Sequence, residues 1–268
     1  MSEHAVGVAV AQFSPGAEPH ANREDIAALA ERAAERGARV VLFPEYASSF
    51  IHPFDETLVE RAETLDGPFA QHLARVAADH GLVIVAGLLE RADDPRRVRN
   101  TVVAVDADGV RATYRKAHLY DAFGQRESDW VEPGALTEPE TFEVEGLVCG
   151  LMTCYDLRFP ESARVLADAG ADVALVPAQW VRGPLKEHHW RTLVTARAIE
   201  NTMYVAAADH TPPLAVGSSL IVDPQGTAVA SVGTTTDVAV AFAERSAIDN
   251  VRRVNPALAL RRYRVAPR

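Results

Sequence analysis

A chain of 268 residues, 48% hydrophobic and 24% charged, is long enough to bury one extensive core, and α/β sandwiches of this size commonly form single domains. Its formal net charge of −10 argues against a nucleic-acid partner, which requires a basic face, and no apolar stretch approaches the roughly 20 residues of a membrane helix. Met1-Ser2-Glu3-His4-Ala5 lacks a cationic region followed by an apolar segment, so residues 1–268 are expected to form one cytoplasmic domain without a signal peptide.

Strand and helix patterns alternate from the start. Val6 to Ala11 reads as a short strand, and Asn22-Arg23-Glu24-Asp25 as an N-cap with acids in the first helical turn. Ile26, Leu29, Ala30, Ala33 and Ala34 follow at helical spacing, and Gly37 suits the position that closes the helix. The next apolar run, Val40-Val41-Leu42-Phe43-Pro44-Glu45-Tyr46, reads as a strand delivering a carboxylate at its end, Glu45. Gly67-Pro68 opens a helix that Gly81 stops, before a strand from Leu82 to Leu89. Thr101 to Val105, a turn over Asp106 to Gly109, and Val110 to Tyr114 form a hairpin that leads to Lys116 in Thr113-Tyr114-Arg115-Lys116-Ala117-His118-Leu119-Tyr120.

The apolar run Leu147-Val148-Cys149-Gly150-Leu151-Met152-Thr153 then ends in Cys154-Tyr155-Asp156-Leu157-Arg158-Phe159-Pro160-Glu161, so a thiol caps a strand where a helix starts. That junction fixes the sulfur on rigid backbone beside free amide N–H groups, as a nucleophile requires, although a lone cysteine is more often simply buried. Gly170-Ala171-Asp172-Val173-Ala174-Leu175-Val176-Pro177 shares glycine, alanine, valine, leucine and proline with Gly37 to Pro44 at matching positions, which suggests two related α-β halves stacked sheet on sheet. A loop over Ala178 to Pro184, a helix to Asn201, and strands near 204–208, 218–222, 227–231 and 238–242 complete the pattern.

Cys149 and Cys154 lie an odd offset apart and point to opposite faces, which suits no disulfide. The nine histidines include no His-Glu-x-x-His, and adjacent His188 and His189 would point about 100 degrees apart on a helix, so no metal or other cofactor is expected. Arg245, Arg252, Arg253, Arg261, Arg262, Arg264 and Arg268 face a single acid, Asp249, in the last segment, and this tail from about residue 245 is expected to contact another subunit.

Glu45, Lys116 and Cys154, each ending a separate strand and in that order, resemble the nitrilase superfamily of carbon-nitrogen hydrolases over nearly the whole chain. The resemblance implies a four-layer α-β-β-α sandwich, a homodimer or larger assembly, and hydrolysis of a small-molecule amide. A free thiol is mostly protonated at neutral pH, so Glu45 is expected to take the Cys154 proton, pass it to the departing amine and later activate water. Lys116 and the Tyr155 N–H would form the oxyanion hole, and Glu127 matches the family's additional active-site glutamate, with Glu132 as the substitute. Arg126, Arg158 and Arg182 are candidate ligands for a substrate carboxylate, Arg158 being equally able to pair with Glu161 or Asp156, and Trp180 matches a pocket-lining position. His118 and Tyr120 are expected to hold the Lys116 loop rather than to react.

Tyr155, where true nitrilases carry tryptophan, is similar to the branch acting on primary amides, including omega-amidases and deaminated glutathione amidases. Release of ammonia from a small carboxylate-bearing amide is therefore the expectation. N-carbamoyl amino acids or aliphatic amides are alternative substrates. A papain-like hydrolase would need a histidine near Cys154, and a silent binding scaffold on the same fold would be expected to lose one of the three residues.

Overall fold

The computed structural model describes residues 5–267; the N-terminal residues 1–4 and Arg268 lie outside it. In chain order, β1 (Val6–Gln12) leads through α1 (Pro19–Glu35) to β2 (Val40–Leu42), the single-turn α2 (Thr57–Glu60) and α3 (Pro68–His80). Then come β3 (Val83–Arg91), β4 (Val98–Asp106), β5 (Gly109–Arg115) and the two-residue β6 (Val131–Glu132). The second half runs β7 (Thr141–Val144), β8 (Leu147–Leu151), α4 (Pro160–Asp168), β9 (Val173–Pro177) and α5 (Lys186–Asn201). It closes with β10 (Tyr204–Ala208), β11 (Leu220–Val222), β12 (Ala228–Ser231), β13 (Asp237–Ala243) and α6 (Arg245–Val254).

The strands form two sheets. One has the order β13-β1-β2-β3-β4-β5, with β6 beside β4, and the other the order β12-β11-β10-β9-β8-β7. The related strings end in β2 and β9, and each of these lies between two parallel neighbours: β1 and β3 in one sheet, β8 and β10 in the other.

Alternation along the strands builds the layers. Val8, Val10, Val40 and Leu42 turn inward to meet Cys149, Leu151, Val173 and Leu175 between the sheets. Ala9, Ala11 and Val41 turn outward against Ile26, Leu29 and Ala33 of α1 and Phe69 and Leu73 of α3. On the other side Ala174, Val176 and Val205 pack against Ala163 and Leu166 of α4 and Trp190 and Val194 of α5. This is the expected four-layer α-β-β-α sandwich, in which each fully buried large aliphatic or aromatic side chain contributes roughly 1.5–3 kcal/mol.

Three local readings need correction. The first helix starts at Pro19 rather than after Asn22, because proline in the first turn needs no N–H partner and its fixed φ already suits a helix. Asn22 is instead buried within α1, where its side chain bonds the Gly16 N–H and C=O at 2.8 and 2.9 Å and the Ser48 C=O at 3.2 Å. The second strand stops at Leu42, two residues before Pro44, which has no N–H for a ladder, so Glu45 sits in a turn beyond the strand rather than at its end. The segment after Cys154 is a short 3-10 helix over Cys154–Arg158, and α4 begins only at Pro160. In the tail, Arg245 and Arg252 face Asp172 and Arg261 pairs with Asp168, so these three arginines have partners within the chain.

The Glu45 turn lies directly on β3. Gly87 N–H donates to the Pro44 carbonyl at 3.1 Å, and the Gly87 carbonyl accepts from Ser48 N–H at 3.1 Å. A Cβ on Gly87 would stand 2.3 Å from Tyr46 N and 2.7 Å from Glu45 Cα, so only glycine allows this approach. Gly87→Ala is expected to lower stability by about 1–3 kcal/mol through this clash and to impair activity by displacing Glu45. Urea unfolding and turnover measured side by side check this, and unchanged values for both would contradict it.

Candidate active site

Three elements converge at one end of the sandwich. The turn after β2 carries Glu45, the residue directly after β5 is Lys116, and the 3-10 turn after β8 begins with Cys154. Two of the backbones there are strained: Tyr46 and Cys154 have φ values of 56 and 44 degrees, in the left-handed region that residues with a Cβ rarely enter. The Cys154 turn is braced by its flanking residues. Asp156 accepts from Thr153 N–H at 3.0 Å and from the Tyr114 hydroxyl at 2.8 Å, and it pairs with His118 at 2.7 Å. His118 also stacks on Phe159 at 3.8 Å between ring centroids. It therefore ties the Lys116 loop to the thiol-bearing turn, as its position suggested.

Lys116 and Glu45 are 2% and 1% exposed, respectively, so their charges must be balanced within the protein. Lys116 Nζ donates to Glu45 Oε1 at 2.8 Å and lies 3.1 and 2.9 Å from the two oxygens of Glu127. Burial alone would depress the Lys116 pKa; the Glu127 and Glu45 carboxylates hold it well above its ordinary value, so the side chain stays an ammonium. Asn100 Nδ2 bridges the same two acids, at 2.7 Å from Glu45 and 3.0 Å from Glu127. Glu127, in a 3-10 turn over Glu127–Asp129, also accepts from the Tyr46 hydroxyl at 2.5 Å and from Tyr120 N–H at 2.6 Å.

The other sheet supplies the remaining anchors of Glu45. Gln179 N–H donates to its Oε2 at 2.7 Å, and His210 Nε2 bonds its backbone carbonyl at 2.7 Å. Cys154 Sγ contacts the Gln179 carbonyl at 3.6 Å. Burial and the neighbouring Glu45 charge push the thiol pKa well above its usual value, outweighing the downward pull of Lys116. The resting site thus holds a protonated thiol beside a carboxylate.

Two cavities meet at Cys154. One, of about 390 Å³, is lined by Glu45, Tyr46, Phe54, Lys116, Arg126 and Glu127 among others. The other is a narrow cleft that includes Tyr155, Arg158, Trp180 and Lys186. Arg158 does not pair with Glu161 or Asp156. Asp156 is taken by Thr153, Tyr114 and His118, and the Arg158 guanidinium lies 4.9 Å from the Trp180 ring and 5.4 Å from that of Phe123. Arg126 lines the wide cavity at its exposed edge, near Asp129 at 3.4 Å. Arg182 is exposed and lines neither cavity. Glu132 binds Arg99 at 3.2 Å, away from the cluster, which leaves Glu127 as the second acid beside Lys116.

Sequence reasoning missed Asn100, Tyr46, Gln179, His210 and Lys186. Lys186, the first residue of α5, is buried, with Nζ 2.7 Å from the Tyr120 hydroxyl and 3.9 Å from the Phe123 ring centroid. Each cation-π contact is worth about 0.5–2 kcal/mol, whereas desolvating an ion without a counter-charge costs several, so the aromatic wall only partly offsets its burial.

A family model described as carbon-nitrogen hydrolase matches residues 7–253. The deaminated glutathione amidase of Escherichia coli O157:H7 is 38% identical over 256 residues, covering 96% of this chain and 97% of that protein. The NitFhit protein of C. elegans superposes with a TM-score of 0.88 at 29% identity, over 98% of this chain and 66% of that longer one. A variant of the amidase from Nesterenkonia sp. AN1, carrying the acetamide moiety of fluoroacetamide on its active-site cysteine, has a TM-score of 0.82 at 26% identity and covers 98% and 95% of the two chains.

His210 gives the site an acid limit. Its burial pulls its pKa down to about 4, against roughly 6.5 for a free histidine, so the unfolded chain binds a proton that the folded one refuses. Its contribution to stability is fully present above roughly pH 6.5 and is lost as pH falls toward about 4. Across that window the wild type is expected to lose more stability than His210→Gln, which keeps a donor for the Glu45 carbonyl. Denaturant titrations at several pH values check this, and parallel curves would contradict it.

Proposed function

This chain belongs to the carbon-nitrogen hydrolase family, and we propose that it hydrolyses a small carboxylate-bearing primary amide to acid and ammonia through a thioester on Cys154. The observation that carries this reading is the Glu45 carboxylate, fixed by Lys116, Asn100 and the Gln179 amide beside a buried thiol that is still protonated. The names of relatives, amidase and deaminated glutathione amidase, support amide bonds as the target.

As Sγ attacks the amide carbon, its proton moves to Glu45, so the site gains no net charge on the protein side of the bond being made. The carbonyl electrons become an oxyanion. An ammonium has three N–H donors, and with two directed to Glu45 and Glu127 the third Lys116 donor is available for this oxygen, together with the Tyr155 N–H. Collapse of the intermediate breaks the carbon-nitrogen bond while Glu45 returns its proton to nitrogen, and ammonia leaves a thioester. A water then attacks, giving its proton to the same carboxylate; the second intermediate expels sulfur, which recovers that proton, and the acid departs. Glu127 keeps Lys116 charged and in place throughout, and Arg158 in the narrow cleft supplies a cation for the substrate carboxylate.

A second reading concerns the leaving group. Ammonia needs about the space of a water, roughly 30 Å³ in the liquid, whereas the wide cavity offers about 390 Å³, so an amide whose nitrogen carries a further group also fits.

Ammonia release from carboxylate-bearing amides, N-carbamoyl amino acids and aliphatic amides, together with mass spectrometry of the quenched enzyme, tests the proposal. Cys154→Ala is expected to abolish turnover and the acyl adduct, and Glu45→Gln to lower kcat by about 10²–10⁴-fold. Turnover that survives Cys154→Ala would sink the thioester route.

A further inference from the structure

The narrow cleft beside Cys154 carries two cations, and among the described residues neither Lys186 nor Arg158 has an acidic side chain within ion-pair distance. Glu187, the neighbouring acid, points elsewhere and faces Arg191 at 3.7 Å on the exposed side of α5. Lys186 Nζ gives one of its three donors to the Tyr120 hydroxyl and rests against Phe123 and Tyr120 at 3.9 and 5.0 Å from their ring centroids. Arg158 Nε is buried without a hydrogen-bond partner. Burial and the Arg158 charge both pull the Lys186 pKa down, the mark of an ammonium that lacks a counter-ion.

The position is also rigid. Trp180 Nε1 donates to the Lys186 backbone carbonyl at 2.9 Å, and Leu185 before it adopts a left-handed conformation that turns the chain into α5. Lys186 thus projects from the first turn of a 16-residue helix, where the backbone dipole also favours an anion. Two cations, unused donors and a helix start share one cleft with the nucleophile.

We propose that Lys186 is the specificity-determining residue of this enzyme: its ammonium, with the Arg158 guanidinium beside it, binds the carboxylate of the substrate's acyl chain while Cys154 attacks the amide at the other end. This rests on the carboxylate-bearing reading above and adds to it the residue that selects the anion. The rings of Tyr120, Phe123 and Trp180 flank the two cations and reduce their contact with water, which strengthens an ion pair formed there.

The test compares kcat/KM for succinamate with that for isocaproamide, in which an isopropyl group replaces the carboxylate. In Lys186→Met and Lys186→Gln the preference of the wild type for succinamate is expected to fall about ten- to hundredfold, chiefly through KM, the size of one charge-assisted hydrogen bond. Lys186→Arg, which keeps a cation, is expected to retain most of the preference. Equal losses for both amides, or an unchanged preference, would overturn the role of Lys186 while leaving the carboxylate reading intact. A wild type that does not favour succinamate over isocaproamide would overturn that reading, and the inference with it.

Discussion

A buried ammonium held between two buried carboxylates is the constraint on which the rest of the site depends. Lys116, Glu45 and Glu127 together carry one net negative charge inside the protein, and the next group in line is a thiol. Burial first, and then the neighbouring Glu45 charge, make a second anion there unfavourable, which is why Cys154 stays protonated at rest. In the proposed mechanism the proton leaves sulfur for Glu45, which neighbours it. In that mechanism burial couples nucleophile formation to proton transfer within the cluster, where an exposed thiol would ionise into water and an exposed Lys-Glu pair would contribute little.

The two-sheet stack exists in a form that serves this cluster. Glu45, Lys116 and Asn100 come from the first sheet and its turns, whereas Cys154, Gln179 and His210 come from the second. Glu45 is the residue they share: Lys116 and Asn100 grip one oxygen from its own side, and Gln179 and His210 reach across to the other oxygen and to its backbone. The apolar packing between the sheets therefore sets the distance between Glu45 and Cys154. Gly87 acts at the same point, because the turn that carries Glu45 rests on the backbone of β3 with no room for a Cβ.

How much of this the sequence reveals depends on the kind of signal each residue leaves. Glu45 and Cys154 are legible because each closely follows an apolar run, and a polar group just past a buried strand is a strong position marker; Lys116 follows β5, which is polar and only partly buried, and is legible from its place after a hairpin and between the other two residues in chain order. Glu127 was legible through resemblance alone, since its loop has no periodicity to orient it. Asn100 sits in β4 beside Thr101 and before Val102 and Val103, and reads as one polar position at a strand start; only the pairing with β3 and β5 turns it toward the acids. Lys186 reads as a solvated helix-start lysine, and its burial follows from the left-handed turn at Leu185, which no composition rule anticipates. Asn22 shows the reverse failure: a good capping residue lies inside the helix, which starts at Pro19 with Glu18 in the cap position, and it finds backbone partners at Gly16 and Ser48 instead.

The most direct test of the charge cluster is a double-mutant cycle on Lys116→Met and Glu127→Gln, read by denaturant unfolding. With Lys116 present, removing the Glu127 charge breaks an ion pair; with Lys116 gone, it relieves an unpaired buried anion. The account predicts that Glu127→Gln is more favourable in the Lys116→Met background than in the wild type, by a coupling of about 1–3 kcal/mol. Effects that add to within about 0.5 kcal/mol would mean that the ammonium and the second carboxylate do not depend on each other, and would contradict the central claim.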